Sequence, residues 1–181
     1  MVRKMVRPPR TRSPFILLIT GTPGTGKTTH AAFLGKKLNA KVISEKTFTR
    51  RMELGKMNAL TKEFEVNLQA YADALIHLIG ETEKNLIIEG HVACEMNIPV
   101  DLVIVLRCDS KVLEKRLRSR GYSEVKIYDN VMAEENGYCL MRVRKNYSPK
   151  KIIIVQTHTP KKVVRTTIWN KLTRRQGGRF A

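Results

Sequence analysis

A chain of 181 residues, 42% of them hydrophobic, is long enough to bury one sizeable core and predicts a single main domain. No apolar run approaches the roughly 20 residues of a membrane-spanning helix, so we expect no membrane segment. The formal net charge is +18, and all 16 acidic residues lie between Glu45 and Glu135. Both ends are therefore purely cationic, which predicts a polyanionic partner, nucleic acid first.

The chain begins with a basic, proline-containing segment, residues 1–14, which has no acidic residue. Prolines disfavour a helix, so we predict a flexible tail. The segment lacks the apolar stretch of a secretory signal. Solvated surface, a mitochondrial presequence and nuclear targeting are the alternatives to a nucleic-acid contact for these charges.

The next stretch is apolar and strand-like over 15–20, continues as Gly21-Thr-Pro-Gly-Thr-Gly-Lys-Thr-Thr29, and is followed by a helical pattern over 30–38. This is the G-x-x-x-x-G-K-T phosphate-binding loop, or P-loop, in its required context of strand before and helix after. Glycines let the backbone turn around an anion, and free N–H groups at the helix start point at phosphate oxygens. We therefore predict that Lys27 contacts the β- and γ-phosphates of a nucleotide and that Thr28 binds Mg²⁺.

The remaining chain alternates apolar strands with helices and ends in a segment, 174–181, that we predict to be a frayed basic tail. The predicted strands are 41–43, 86–88, 102–106 and 152–155, and the predicted helices are 44–54, 61–79, 110–120, a stretch from 123 interrupted by the turn signal Asn136-Gly137, and 159–173. Such alternation predicts an α/β fold, a five-stranded parallel sheet with helices on both faces.

The three cysteines, Cys94, Cys108 and Cys139, are scattered and form no C-x-x-C pair. We therefore expect buried free thiols in a reducing compartment.

Two residues at the end of the predicted strand 86–88 are candidates for chemistry. A carboxylate at this place in P-loop folds holds Mg²⁺, which makes Glu89 a candidate metal ligand, with a plain surface carboxylate as the alternative. His91, two residues further on, is either placed to orient an attacking water or is an ordinary structural histidine.

A cationic segment over 115–122 supplies candidate phosphate contacts. Arg116 and Arg120 are four residues apart and therefore share a helix face. Phosphoryl transfer spreads negative charge over the migrating group, and Arg or Lys side chains stabilise that charge. Arg120 precedes Gly121, where a hinged lid would begin, whereas a solvated basic face accounts for Lys115 and Arg118.

Four motifs in combination resemble one family. They are the loop 21–29, Glu89-Gly-His91, Val105-Leu-Arg-Cys-Asp109, and Arg116-Leu-x-x-Arg-Gly-Tyr122 followed by Asp129-Asn130. Together they are similar to the adenylate kinase isoenzyme 6 family, small nuclear and archaeal P-loop kinases also implicated in small-ribosomal-subunit maturation. The resemblance runs, with gaps, from about residue 15 to about residue 171. One departure is Glu89, where this family more usually has Asp.

The resemblance implies a nucleoside-monophosphate-kinase-like domain over 15–173, with a monophosphate-binding insert at about 44–66 and a small lid at about 119–129. It implies that ATP and Mg²⁺ are held by loop residues Gly21, Gly24, Thr25, Gly26, Lys27, Thr28 and Thr29. It implies phosphate binding by Arg120, adenine contact by Arg116 and acceptor-monophosphate binding by Arg50. The implied catalytic residues are Lys27, Glu89, His91 and Arg120, with Thr28 and Glu89 on the metal.

Three hypotheses follow for function. The first is an adenylate kinase that converts Mg·ATP and AMP into two ADP. The second is an ATPase that assists small-subunit maturation, with His91 orienting water and with pre-ribosomal RNA and a small-subunit ribosomal protein as partners. The third is a binding module whose P-loop has become structural, against which Lys27 and Thr28 argue. In each case we expect a monomer of the cytoplasm or nucleus.

For the RNA partner we expect contact through phosphate neutralisation rather than base stacking. In the cationic C-terminal segment, Trp169 and Phe180 offer too little aromatic interleaving for a stacking platform.

Overall fold

A computed structural model describes residues 13–177 and 179–180. Its centre is a parallel sheet of five strands in the order β2-β5-β1-β6-β7, beside a separate two-stranded antiparallel pair, β3-β4. The strands are β1 Ile16–Thr20, β2 Lys41–Ser44, β3 Gly55–Met57, β4 Phe64–Val66, β5 Leu86–Glu89, β6 Leu102–Arg107 and β7 Ile152–Gln156. The predicted five-stranded parallel sheet is confirmed. Most of the predicted N-terminal tail, residues 1–12, lies outside the described residues.

The helices lie on both faces of this sheet. Within the described ranges they are α1 Lys27–Lys37, α2 Glu45–Arg51, α3 Leu68–Glu81, α4 Ser110–Arg118, α5 Glu124–Glu135, α6 Tyr138–Asn146 and α7 Lys161–Gln176, with short 3-10 turns at Val92–Glu95 and Pro149–Lys151. In this part of the chain, no helix has both the length and the apolar character to cross a membrane.

Strand β1 shows how the core forms. Successive strand side chains point to opposite faces, so Ile16 and Leu18 enter one core with α3 and α6, while Leu17 and Ile19 enter the other with α1 and α7. All five residues of β1 are buried. A parallel strand buried on both faces requires the continuous apolar run that the sequence has here.

The predicted helix over 61–79 is wrong in its first part. Residues 64–66 form β4, which pairs antiparallel with β3, and the helix begins only at Leu68. Asn67 explains the boundary, because its side chain accepts a hydrogen bond of 3.1 Å from the backbone N–H of Ala70 and so caps α3. The predicted insert at 44–66 therefore contains α2 and a small hairpin.

Two other boundaries depend on backbone geometry. Gly137 has φ +65° and separates α5 from α6, as the Asn136-Gly137 turn signal predicts. The last helix, predicted to end at 173, continues to Gln176. Beyond it, the ring of Phe180 packs edge-on against Phe15 at 5.0 Å, so the segment predicted to be frayed begins helical and then contacts the core.

Candidate nucleotide site

The P-loop begins where β1 ends, at the edge of the sheet where all five parallel strands end. Gly24 and Gly26 have φ values of +93° and +94°, a left-handed conformation that favours glycine. A Cβ added to Gly24 would lie 2.7 Å from Cδ1 of Leu113. The chain then enters α1 at Lys27, whose first turn contains no acidic residue to compete for an anion.

Among the salt bridges of the described residues, none involves Lys27, and its side chain contacts backbone oxygens instead. Its Nζ donates hydrogen bonds to the carbonyl oxygens of Gly21 at 2.8 Å and Thr22 at 3.2 Å. Burial lowers the pKa of Lys27, although Cys139, Glu45 and Glu89 act in the opposite direction. An anion that enters the loop would therefore relieve the cost of burying this charge.

Thr28 and Glu89 meet in the same pocket. The Thr28 hydroxyl lies 3.3 Å from Oε1 of Glu89, and Glu89 is only 5% exposed at the end of β5. Hydroxyl and carboxylate oxygens are the hard donors that suit Mg²⁺, so the two residues fit the metal role predicted for them.

This pocket, which we call the loop pocket, joins distant segments of the chain. Its lining consists of Pro23, Gly24, Gly26, Lys27, Thr28 and Thr29 from the loop, Ser44, Glu45 and Lys46 after β2, Glu89 and Gly90 after β5, and Arg120 and Tyr122 after α4. The candidates Lys27, Thr28, Glu89 and Arg120 thus converge on one site.

A second pocket adjoins the first and shares Gly24, Gly26, Thr29 and Arg120 with it. Thr25, Arg116 and Thr157 also line it. The Arg116 guanidinium donates to the carbonyl and hydroxyl oxygens of Thr157, at 2.5 and 3.3 Å. Arg116 therefore connects the end of α4 to the segment after β7, in a pocket whose lining does not include Glu89.

Two exposed arginines, Arg118 just before the predicted lid and Arg120 within it, have different surroundings. Arg118 forms salt bridges with Glu114 and Glu124. Arg120 lines both pockets. The lid predicted at 119–129 consists of a loop followed by the first turns of α5.

Three predicted site residues line neither pocket: Gly21, His91 and Arg50. His91 has Nδ1 3.4 Å from the carbonyl oxygen of Gly21 and 3.5 Å from Sγ of Cys139. Burial lowers the pKa of His91, but Cys139 outweighs that effect and the pKa is raised. The Arg50 guanidinium lies 5.0 Å above the ring of Phe64. Its predicted acceptor role therefore requires movement of the insert.

The carboxylate of Glu45 is a site residue that the sequence did not reveal. It accepts hydrogen bonds from the backbone N–H groups of His91, Val92 and Ala93, at 2.9 to 3.2 Å. Burial raises the pKa of Glu45, and these N–H groups act against that rise. Glu45 therefore fixes the turn after β5 to the start of α2. In the sequence, the one sign of a role for Glu45 in the site was its position directly after the short strand β2.

Glu134 on α5 is the second residue that the sequence did not reveal. It is 2% exposed and accepts hydrogen bonds from the Thr22 hydroxyl at 2.6 Å, Nε of Arg107 at 2.6 Å and the backbone N–H of Cys108 at 2.9 Å. One carboxylate thereby ties the P-loop to the end of β6 and to α5. Thr22 and Glu134 are 112 residues apart in sequence, too far for a local pattern to pair them.

The fold and the loop together define a P-loop protein. A family profile described as an AAA domain matches residues 17–137. The deoxyadenosine kinase of M. mycoides has a similar fold, with a TM-score of 0.58 over 88% of this chain and 100% of that one at 18% identity. At such identity the likeness concerns the fold alone.

Sequence relatives narrow the class. An adenylate kinase isoenzyme 6 homolog of Caenorhabditis elegans is 33% identical over 161 residues, covering 83% of this chain and 84% of the relative. A protein of Pyrococcus furiosus named putative adenylate kinase is 42% identical over 122 residues. The chain belongs to the adenylate kinase isoenzyme 6 family. The Pyrococcus match covers 66% of this chain and 63% of the relative, just under two thirds of its length.

The Glu134 contacts lead to a stability prediction. Glu134→Gln removes the charge that pairs with Arg107, and breaking a buried ion pair typically costs about 3–5 kcal/mol. Because Arg107 is 21% exposed, we expect the lower end, about 3 kcal/mol, in the free energy of unfolding measured by urea denaturation. The neighbouring, exposed Glu135→Gln is the control; an equal, small loss in both variants would contradict the interpretation.

A second prediction concerns pH. Burial, followed by the charges of Arg165, Arg116 and Lys161, lowers the pKa of His30 from 6.5 to about 4. Between these values the unfolded chain binds the proton and the folded chain does not, so the free energy of unfolding falls as the pH drops through this window.

We expect His30→Gln to reduce the loss of unfolding free energy between pH 7 and pH 4 by about 1–2 kcal/mol, after allowing for partial screening by solvent. Urea denaturation at several pH values between 7 and 4 measures it, and exposed His77→Gln is the matched control. A slope unchanged by His30→Gln would refute the prediction.

Proposed function

We propose that this chain is a Mg·ATP-dependent nucleoside monophosphate kinase that converts ATP and AMP into two ADP. The observation that carries the proposal is the loop pocket, whose lining combines Lys27 and Thr28 with Glu45 and Lys46 of the insert and with Arg120. A site that only binds or hydrolyses ATP needs no insert at this position. Family membership supports the same activity.

In the proposed reaction, an oxygen of the AMP phosphate attacks the γ-phosphorus of ATP. The new P–O bond forms as the bond to the β-phosphate oxygen breaks, and the leaving group is ADP. Such a transfer depends on positioning and electrostatic stabilisation, so no protein base is required. Lys27 would exchange the carbonyl oxygens of Gly21 and Thr22 for phosphate oxygens, and Arg120 would bind the migrating group.

Mg²⁺ is the cofactor in this proposal, and Thr28 and Glu89 are the residues that would hold it, Glu89 directly or through water. When bound, the ion neutralises charge on the β- and γ-phosphates. Glu89 also accepts a hydrogen bond of 3.3 Å from the Thr28 hydroxyl at the start of α1, so the two metal candidates already contact each other.

The predicted lid and insert belong to the same proposal. Residues 119–129 would close over ATP and bring Arg120 onto the phosphates, while 44–66 would hold the monophosphate. Closure excludes water, which protects the transferred group from hydrolysis. Arg50 would reach the acceptor only if this motion releases it from Phe64.

A second candidate function is ATP hydrolysis during maturation of the small ribosomal subunit, in the cytoplasm or nucleus. The acid-free cationic ends support pre-ribosomal RNA as a partner, together with a small-subunit ribosomal protein. His91 would orient the attacking water. Because His91 contacts the Gly21 carbonyl, it would reach the pocket only after the loop rearranges. A His91→Ala protein with full ATP hydrolysis would exclude this role.

The deciding experiment measures ADP formation from Mg·ATP with and without AMP. We expect strong dependence on AMP and loss of turnover in Lys27→Met, since Lys27 is the loop's phosphate cation. The control Lys36→Met, on the exposed end of α1, should keep full activity. A rate that AMP does not change would leave the ATPase as the better function.

Arg120 and Arg118 provide a matched pair for the lid. Arg120→Ala should lower kcat, because it should raise the activation free energy by about 2–4 kcal/mol, the usual effect of losing one transition-state charge contact. The melting temperature should change little. Arg118→Ala should keep near-normal turnover, because Arg118 is paired with Glu114 and Glu124. Equal losses in the two variants would show a generic basic surface instead.

A further inference from the structure

A groove with no role in the proposed reaction lies between α1 and α7. It encloses about 550 Å³ and is lined by Phe33, Lys37, Lys161, Lys162, Arg165 and Trp169, with Thr166 between them. α1 and α7 cover one face of the sheet, whereas α3 and α6 cover the other. Phe33 and Trp169 are half-buried, and the lysines are exposed.

Cations and aromatic rings alternate across this groove. Nζ of Lys37 lies 5.2 Å from the centre of the Trp169 ring, and Cζ of Arg165 lies 5.1 Å from that of Phe33. Nε of Arg165 is buried and has no hydrogen-bond acceptor in the described protein. Each cation lies over a ring, so a base that stacks on that face would displace the cation toward the adjoining phosphate. Aromatic rings together with cations are the combination on which single-stranded nucleic acids bind, with bases on the rings and phosphates on the cations.

The charge of the groove is not balanced by its own protein. α7 has six Lys or Arg among its 16 residues and no acidic residue. Among the salt bridges of the described residues, none involves Lys37, Lys161, Lys162 or Arg165. Lys161 and Lys162 also begin α7, at the positive end of the helix dipole, where cations are unfavourable. A bound anion would offset both costs.

We propose that this groove binds single-stranded RNA, with bases against Phe33 and Trp169 and phosphates against Lys37, Lys161 and Lys162. A second copy of the chain would bring like charges together, as would residues 1–12, which carry five Lys or Arg and no acid. An acidic peptide matches the charges but leaves the ring faces unused. Stacking had not been expected, because Phe33 is far in sequence from Trp169; the fold brings the two rings to one groove.

The groove meets the nucleotide site at one residue. Lys161 lines both the groove and the second pocket beside Arg116. The inference deepens the proposed RNA partner by giving it a location, and it rests on that partner rather than on phosphoryl transfer. Lys37, Lys162 and Trp169 line neither nucleotide pocket.

Trp169 is the one tryptophan of the sequence, so its fluorescence reports on the groove alone. A labelled, mixed-sequence RNA of about twelve nucleotides lies within the usual span of single-strand sites. Titration should quench Trp169 and raise the anisotropy of the RNA with one common Kd. The logarithm of affinity should fall with the logarithm of salt by about 0.7 per phosphate contact.

Paired charge reversals locate the site. Lys37→Glu/Lys162→Glu should weaken RNA binding at least about tenfold. It should also reduce the slope of log affinity against log salt by about 1.4, which corresponds to two lost phosphate contacts. Lys84→Glu/Lys145→Glu makes the same change in net charge on exposed positions after α3 and on α6, and should stay within about threefold of the parent. ADP formation from ATP and AMP, measured on the same samples, should be unchanged in both.

Several results would overturn the proposal. Equal weakening by the two double variants would mean diffuse attraction to net charge, and RNA binding without quenching would place RNA elsewhere. Tighter binding of a polyglutamate of equal charge would assign the groove to an acidic protein. No RNA binding at low salt would exclude the RNA partner. It would not affect the proposed kinase activity, which the ADP-formation assay tests separately.

Discussion

The rest of the structure depends on strand β1, which is constrained both by its hydrogen-bonded edges and by its buried faces. This strand is hydrogen-bonded on both edges, to β5 and to β6, and buried on both faces. It therefore cannot shift without disturbing two cores and two strand pairings at once. Its last residue, Thr20, is a fixed point from which the P-loop starts. A phosphate-binding loop needs such an anchor, because its N–H groups must already be oriented before the anion arrives.

Two carboxylates, those of the buried Glu134 and the half-buried Glu45, extend this rigidity to the surroundings of the loop. Glu134 holds Thr22 from one side, and Glu45 holds the turn that contains His91 from the other. Buried charges are tolerated only when hydrogen-bonded, and each of these has three donors. The floor of the loop pocket is thus fixed, whereas Lys46 and Arg120 on its rim are exposed. A rigid floor with a free rim suits a site whose cover moves.

The parts of this structure that could be predicted from the sequence are those with local signals. The P-loop is a contiguous motif, and the five sheet strands are apolar runs, so both were expected at their observed places. The β3-β4 hairpin was missed because strands of three residues carry too little periodicity, and the Asn67 cap was hidden inside a helical pattern. Glu134, Glu45 and the ring pair Phe33 and Trp169 acquire their roles through long-range contacts, which no single-sequence pattern encodes.

The contact between Glu45 and Gly90 restricts how this protein can evolve. A Cβ at position 90 would lie 2.1 Å from Oε2 of Glu45, so even alanine does not fit while that carboxylate holds its three N–H groups. A shorter acid at position 45 would no longer reach all three donors, and its Cβ would still lie 2.7 Å from the same point. Position 90 is therefore restricted to glycine whichever acid stands at 45, and in a set of relatives we would look for a glycine that stays even where the acid changes.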